Sequence, residues 1–211
     1  MFTGIVEQMA QVTSIKNAAD IKKFGVKLKK NAEKTTIGDS VAVNGVCQTI
    51  TEIEGSTVYF EAIKETLLKT NLSLLKKGDT VNIEFSLTPS DKIGGHFVTG
   101  HIDCLGTIRQ KKPEGGAIRF ELSAPEKFNI YTAPKGSITV DGVSLTLADC
   151  FRDGFTFFCV PHTLENTTLK TIKIGGKVNL EFDLLAKYVN NKAPRPSSGI
   201  SIELLQKKGF I

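Results

Sequence analysis

Short apolar and β-branched runs recur along the chain, broken every few residues by glycine, asparagine or aspartate. SVAVNGVCQTITEI at 40–53 and SITVDGVSLTLADC at 137–150 are each interrupted by Asn-Gly or Asp-Gly, dipeptides that accept the positive φ of tight hairpin turns. STVYFEAI at 56–63 and FTFFCV at 155–160 read as further strands. TVNIEFSL at 80–87 and KVNLEFDL at 177–184 alternate apolar and polar residues with the two-residue period of a half-buried strand. Only ETLLKTNLSLL at 65–75 and HTLENTTLKTI at 162–172 suggest a short helix or turn, with Thr66 and Thr163 suited to capping a helix start. Many short strands with regular turn signals predict an all-β barrel or sandwich.

These segments come in pairs. GDSVAVNGVCQTIT at 38–51 returns as KGSITVDGVSLTLA at 135–148, and ETLLKTNLSLLKKGDTVNIEFSL at 65–87 returns as HTLENTTLKTIKIGGKVNLEFDL at 162–184, both 97 positions on. TGIVE at 3–7 is echoed by TGHID at 99–103, one residue out of step. A repeat of about 95 residues is a duplicated domain and not a solenoid, whose periods run about 20–50. The expected division is a first barrel over 1–96, a second over 97–188 and a tail over 189–211, with a linker near SDKIGGHF at 90–97. KYVNN at 187–191 could finish a helix. KAPRPSSG at 192–199 should be irregular, and ISIELLQKKGFI at 200–211 reads as an apolar and basic tail.

With 211 residues, 40% hydrophobic and 23% charged, the chain can bury two modest cores. It has no apolar run long enough for a membrane span and opens without a secretory signal, so a cytoplasmic location is expected. The net charge of +5 comes from dispersed lysines, among them Lys22, Lys23, Lys76, Lys77, Lys111 and Lys112, which read mostly as solvated. Without tryptophan or a basic block, nucleic acid is not an expected partner. Cys47, Cys104, Cys150 and Cys159 show no metal-ligand spacing and read as reduced thiols.

MFTGIVE, VNGVCQT, ETLLKTNL, GGHFVTGHID, KGSITVDGVSLT and PHTLENTTL, in this order and at these intervals, resemble the riboflavin synthase family of the alpha-chain type over about residues 1–190. The resemblance implies two six-stranded Greek-key barrels per chain, each binding one pteridine-like ligand, and a homotrimer. It also implies lumazine synthase as a partner. The reaction implied is dismutation: two molecules of 6,7-dimethyl-8-ribityllumazine exchange a four-carbon unit and give riboflavin and 5-amino-6-(ribitylamino)uracil. No cofactor or metal is required.

The same resemblance implies the site. In the first half it comprises Gly4, Ile5, Val6, Cys47, Gln48, Thr49 and the stretch Glu61, Ala62, Ile63, Lys64, Glu65, Thr66. In the second it comprises Gly100, His101, Ile102, Lys135, Ser144, Leu145, Thr146 and the stretch Cys159, Val160, Pro161, His162, Thr163, Leu164. The threonine and serine hydroxyls suit a polyol, and backbone groups suit a flat ring edge. His101 fits acid–base work. Cys47 reads as a positioning group or transient nucleophile and Lys135 as a stabiliser of developing negative charge. Asn44 and Asp141 read as turn residues, and Phe2 as core or as a lid.

Gln48 departs from the family, which more often has leucine there. Two other classes compete with the enzyme: a lumazine-binding antenna protein that uses one pocket, and a generic barrel module. The antenna reading is disfavoured by the polar residues kept in both halves, and the module by scattered charge.

Overall fold

The computed structural model describes residues 1–18, 20–30, 32–190 and, in the tail, 205, 206, 208 and 209. The expected irregular stretch 192–199 lies outside the described residues, as does most of 200–211. Strands β1 (Gln8–Ala18), β2 (Ile21–Lys27), β3 (Ser40–Val43), β4 (Val46–Glu54), β5 (Thr57–Ile63) and β6 (Thr80–Phe85) close into one antiparallel barrel in the order β1-β2-β5-β4-β3-β6. Strands β7 (Cys104–Glu114), β8 (Ala117–Ser123), β9 (Ser137–Val140), β10 (Val143–Phe151), β11 (Gly154–Cys159) and β12 (Lys177–Phe182) close the second in the matching order. In each, three hairpin-linked strands are followed by a fourth that returns beside the first of them, which is a Greek key. Among the described residues, no helix is long and apolar enough to cross a membrane.

The turns follow from the sequence. Asn44 and Gly45 have φ of 47° and 78°, Asp141 and Gly142 of 47° and 77°. That is the left-handed pair a two-residue hairpin needs to match strand twist. Alternation then puts Val41, Val43, Ile50, Val58, Phe60, Val81 and Ile83 inside the first barrel. Ile138, Val140, Leu147, Phe155, Phe157, Val178 and Leu180 fill the second.

The helix start differs from the expectation. Helix α1 (Lys64–Lys69) is entered straight from β5 through Ile63 with no side-chain cap, and α2 (Pro161–Asn166) through Val160 with proline in its first turn. Thr66 and Thr163 therefore lie inside their helices, where their carbonyls accept from the hydroxyls of Thr70 and Thr167 at 2.7 Å each. The cap is one turn later: Thr70 accepts from Leu72 N–H at the start of the 3-10 turn Asn71–Leu74.

Two lysines correct the reading of the basic residues as solvated. Lys22 Nζ donates to the carbonyls of Leu72, Ser73 and Leu75 at 2.9–3.3 Å and lies over the Phe24 ring. Lys111 Nζ does the same for Leu169, Lys170 and Ile172 and lies over Phe120. Each ammonium ties a 3-10 turn to its barrel, and burial holds both below the usual lysine range.

The barrels meet hairpin to hairpin. Gly45 and Gly142 pack backbone on backbone, with no room for a side chain on either. Around them Asn82 Nδ2 donates to Asp141 O at 2.9 Å and Asn179 Nδ2 donates to Asn44 O at 2.8 Å. Asn44 and Asp141 are thus more than turn residues. Their Oδ1 atoms accept from the N–H groups of Asn82 and Asn179, both at 2.8 Å. At this contact the approximate two-fold breaks at Asn71: its Nδ2 donates to Asp141 Oδ1 at 2.8 Å, whereas the repeat has Thr168 at Asn71's position.

Burial is the dominant effect on the Asp141 carboxyl and pushes it up to about 7, against the lowering effect of the bonds from Asn179 and Asn71. A carboxyl raised in the folded state contributes stability below its unfolded value near 3.8, and that stability is lost as pH rises through about 7. Asp141→Asn, which keeps the Oδ1 acceptor as Asn44 does, is therefore expected to stabilise the chain at pH 8. We expect about 1–2 kcal/mol, because the new amide NH₂ needs its own partner. Urea melts at pH 8 and pH 5 check this: the gain should shrink toward pH 5.

Candidate functional site

The N-terminal segment leaves its own barrel. Glu84, buried on β6, accepts with its carboxylate from Thr3 N–H, Thr3 Oγ1 and Gly4 N–H at 2.6, 2.9 and 3.0 Å. So held, the segment crosses to the second barrel, where Gly4 O accepts from Ser144 N–H at 2.7 Å. The second repeat does the reverse. Glu181 accepts from Thr99 N–H, Thr99 Oγ1 and Gly100 N–H at 2.6–2.9 Å, and Gly100 O accepts from Cys47 N–H at 2.9 Å. The shared Glu84 and Glu181 of the repeat are therefore the anchors of two crossing segments.

This corrects the grouping by halves. Gly4, Ile5 and Val6 stand with Ser144, and Val6 packs against the second core. Gly100, His101 and Ile102 stand with Cys47, and Ile102 packs against the first core. The fit leaves no slack: a Cβ on Gly4 would stand 2.7 Å from Ser144 Cβ, and one on Gly100 would stand 2.6 Å from Cys47 Cβ. Sequence order suggested that neighbours in the chain share a pocket, and no local signal marks the exchange. Phe2 lies in the seam. It is fully buried, exchanges backbone hydrogen bonds with Val98 at 2.8 and 3.0 Å, and packs with Ala42, Val98 and Cys47, so it is core and not a lid.

The outer surface of each barrel is built from the predicted stretches. On β4 the side chains of Cys47, half-buried, and Thr49, exposed, face outward, as do Ser144 and Thr146 on β10. Glu61 and Ile63 face outward on β5, and Lys64, Glu65 and Thr66 follow on α1. In the second barrel exposed Val160 leads into α2 with Pro161, His162, Thr163 and Leu164. Ala62, Leu145 and Cys159 are buried in the barrels, so only their backbone can meet a ligand. Burial pushes the Cys159 thiol up to about 11, leaving it an inert thiol.

Gln48 also points inward, where the repeat has Leu145. Its Nε2 donates to Cys47 O at 2.7 Å, while the buried Oε1 meets no donor among the described residues. The side chain thus braces the backbone of Cys47 from within and leaves half its amide unsatisfied.

Lys135 is exposed and has φ of 68°, at the position where the first repeat has Gly38 with φ of 97°. The two N–H groups make the same bond, to Leu147 O and Ile50 O, both at 2.9 Å. A side chain in this left-handed region costs about 1 kcal/mol that glycine avoids. The second repeat carries that strain and the first does not.

Two clefts lie beside these faces. A cleft of about 780 Å³ beside the first crossing segment is lined by Thr3, Ile5, Lys34, Ser40, Glu84 and Lys92 among others, and of the predicted site it includes Ile5 alone. One of about 470 Å³ beside α2 includes Pro161 and Leu164. Neither contains Cys47 or Ser144, whose placement rests on the main-chain bonds to the crossing segments. The faces also expose Ile5, Ile63, Phe158 and Val160, apolar surface suited to a flat ring. Among the described residues no group of histidine, cysteine and carboxylates could hold a metal ion.

The lumazine-binding domain model matches residues 3–86 and again 99–183. The riboflavin synthase of Actinobacillus pleuropneumoniae is 35% identical over the whole of both chains. That of Bacillus subtilis is 37% identical over 90% of this chain and 88% of its own. Among solved structures, LumP in complex with riboflavin superposes with a TM-score of 0.80 at 25% identity, over 86% of this chain and 99% of that one.

Proposed function

The chain belongs to the riboflavin synthase family of duplicated lumazine-binding domains, and on that footing we propose that it converts two molecules of 6,7-dimethyl-8-ribityllumazine into riboflavin and 5-amino-6-(ribitylamino)uracil. The observation that carries this reading is the equivalence of the two faces. Each has an outward polar pair on a strand, Cys47 and Thr49 or Ser144 and Thr146, and each is bounded by a crossing segment from the other repeat. An enzyme whose donor and acceptor are the same compound needs two like sites that can be brought face to face. Holding two reactants in register can supply about 7–11 kcal/mol against a bimolecular barrier.

The residues divide the work by position. Thr49, Thr66, Ser144, Thr146 and Thr163 offer hydroxyls to the ribityl chains, and the backbone of 48–49, 61–63, 145–146 and 159–160 offers polar groups to the ring edges. His101, exposed and next to the Gly100 whose carbonyl binds Cys47, takes the proton of the acidic methyl at ring position 7 in this reading. Cys47 positions the ring of the first barrel's ligand. Lys135 steadies negative charge as the methyl ionises. The reacting pair forms between a first barrel of one chain and a second barrel of another, in a cytoplasmic homotrimer. Helix α3 (Leu184–Asn190) supports such an assembly: Leu185, Tyr188 and Val189 are 62, 73 and 61% exposed, apolar area that a partner would cover.

Purified protein mixed with the lumazine alone should develop flavin absorbance and fluorescence. Stoichiometric binding without flavin formation would favour the antenna reading and reject the enzyme. Lys135→Gly adds a sharper expectation. Relieving the left-handed lysine should leave stability equal or slightly higher, while turnover falls at least tenfold, or about 1.4 kcal/mol of barrier. A thermal melt and a progress curve on one preparation check both.

A further inference from the structure

His96 lies outside the site as the sequence drew it, in the linker ahead of the second crossing segment. Its Nδ1 stands 2.8 Å from Ser144 Oγ, and its N–H donates to Thr3 O at 3.1 Å. The preceding Gly95 fixes that approach. A Cβ there would stand 2.2 Å from Thr3 O and 2.8 Å from both Cβ and Oγ of Ser144, so the linker is pressed onto the serine and no larger residue fits. The ring is half-buried. Burial, against the opposing pull of the Asp183 charge, holds it below the usual histidine range and so favours the neutral imidazole. A neutral ring has one donor and one acceptor nitrogen, so either tautomer ties the Ser144 hydroxyl down.

We propose that His96 is a positioning residue for the second barrel's ligand face: it holds the otherwise rotatable Ser144 hydroxyl in one orientation, so that the bound ligand meets a single fixed polar group. This rests on Ser144 facing the ligand, as argued above. The first barrel solves the same position differently, with Cys47, whose thiol is a weak hydrogen-bonding group and gains little from such fixing. The two faces are therefore unlike at this point, and the serine face is the one built to read ligand polarity.

The test is a double-mutant cycle in steady-state kinetics and riboflavin titration. His96→Ala should lower kcat about tenfold, the size expected for a lost neutral hydrogen bond, with a much smaller change in KM. His96→Asn, whose amide can take the place of Nδ1, should recover most of that loss. In a Ser144→Ala background, His96→Ala should change kcat by less than about twofold, because the partner is already gone. Multiplicative losses in the double variant, or an asparagine variant no better than alanine, overturn the role of His96 while leaving the enzyme reading intact. A wild-type chain that neither binds riboflavin nor converts the lumazine overturns both.

Discussion

Gly142→Ala is expected to separate the two barrels. The residue has φ of 77°, and a Cβ on it would stand 2.7 Å from the nitrogen and 2.9 Å from the Cα of Gly45. The obstacle is backbone on both sides, so no side chain can swing away. Left-handed strain alone costs about 1–2 kcal/mol. The larger loss comes from pushing apart the hairpins, because Asn82 Nδ2, Asn179 Nδ2 and Asn71 Nδ2 then lose partners in a buried seam. Each buried donor left unpaired costs about 1–3 kcal/mol, so a total above about 3 kcal/mol is expected. The barrels themselves should survive, since their cores lie on the far side of these turns. Denaturant melts should change from one cooperative transition to two, with turnover lost before secondary structure. A single unshifted transition would mean that the hairpin contact is incidental.

The second large effect concerns the isolated first repeat. A fragment of residues 1–96 keeps all six strands of its barrel and Cys47, Thr49 and Thr66. It loses Gly100, His101 and Ile102, so Cys47 N–H is left without its acceptor and part of the core without its cover. Its own segment Thr3–Val6 no longer has Ser144 to bind. Two copies can satisfy each other, each laying that segment on the other's Cys47, and a self-complementary two-fold contact is the commonest closed arrangement. Asn44 stands where the second repeat has Asp141, so no acid sits at the new hairpin contact. We expect a folded dimer that quenches riboflavin fluorescence at about one ligand per chain and makes no riboflavin. Light scattering, a titration and a flavin assay decide it. An unfolded fragment would show that the repeat is not a domain, and full turnover that the second half is dispensable.

Much of this was legible in the sequence because the chain states it twice. The Asn-Gly and Asp-Gly turns fixed both hairpins, and strict alternation in TVNIEFSL and KVNLEFDL placed the last strand of each barrel. Thr49 and Thr146, shared by the repeat, lie exposed at matching places on β4 and β10. What escaped was contact between the halves. Glu84 and Glu181 look like ordinary outward acids on an alternating strand, and nothing local says that each collects the amides of a chain segment about 80 residues away. Lys22 and Lys111 resemble any solvated lysine until the folded 3-10 turns bring three carbonyls to each ammonium. His96, inside the expected linker at 90–97, reaches Ser144 only after Gly95 has turned against Thr3.

If each ligand face is completed by the other repeat, Gly100→Val should remove one face and spare the other. Two riboflavin sites per chain are expected in the unaltered protein. The valine should displace the segment over Cys47 and leave one site, the one on the second barrel. A fluorescence titration of Gly100→Val combined in turn with Ser144→Arg and with Thr49→Arg identifies the survivor. Ser144→Arg should abolish the remaining site, and Thr49→Arg should leave it. Loss of the remaining site with Thr49→Arg, and its persistence with Ser144→Arg, would contradict that arrangement.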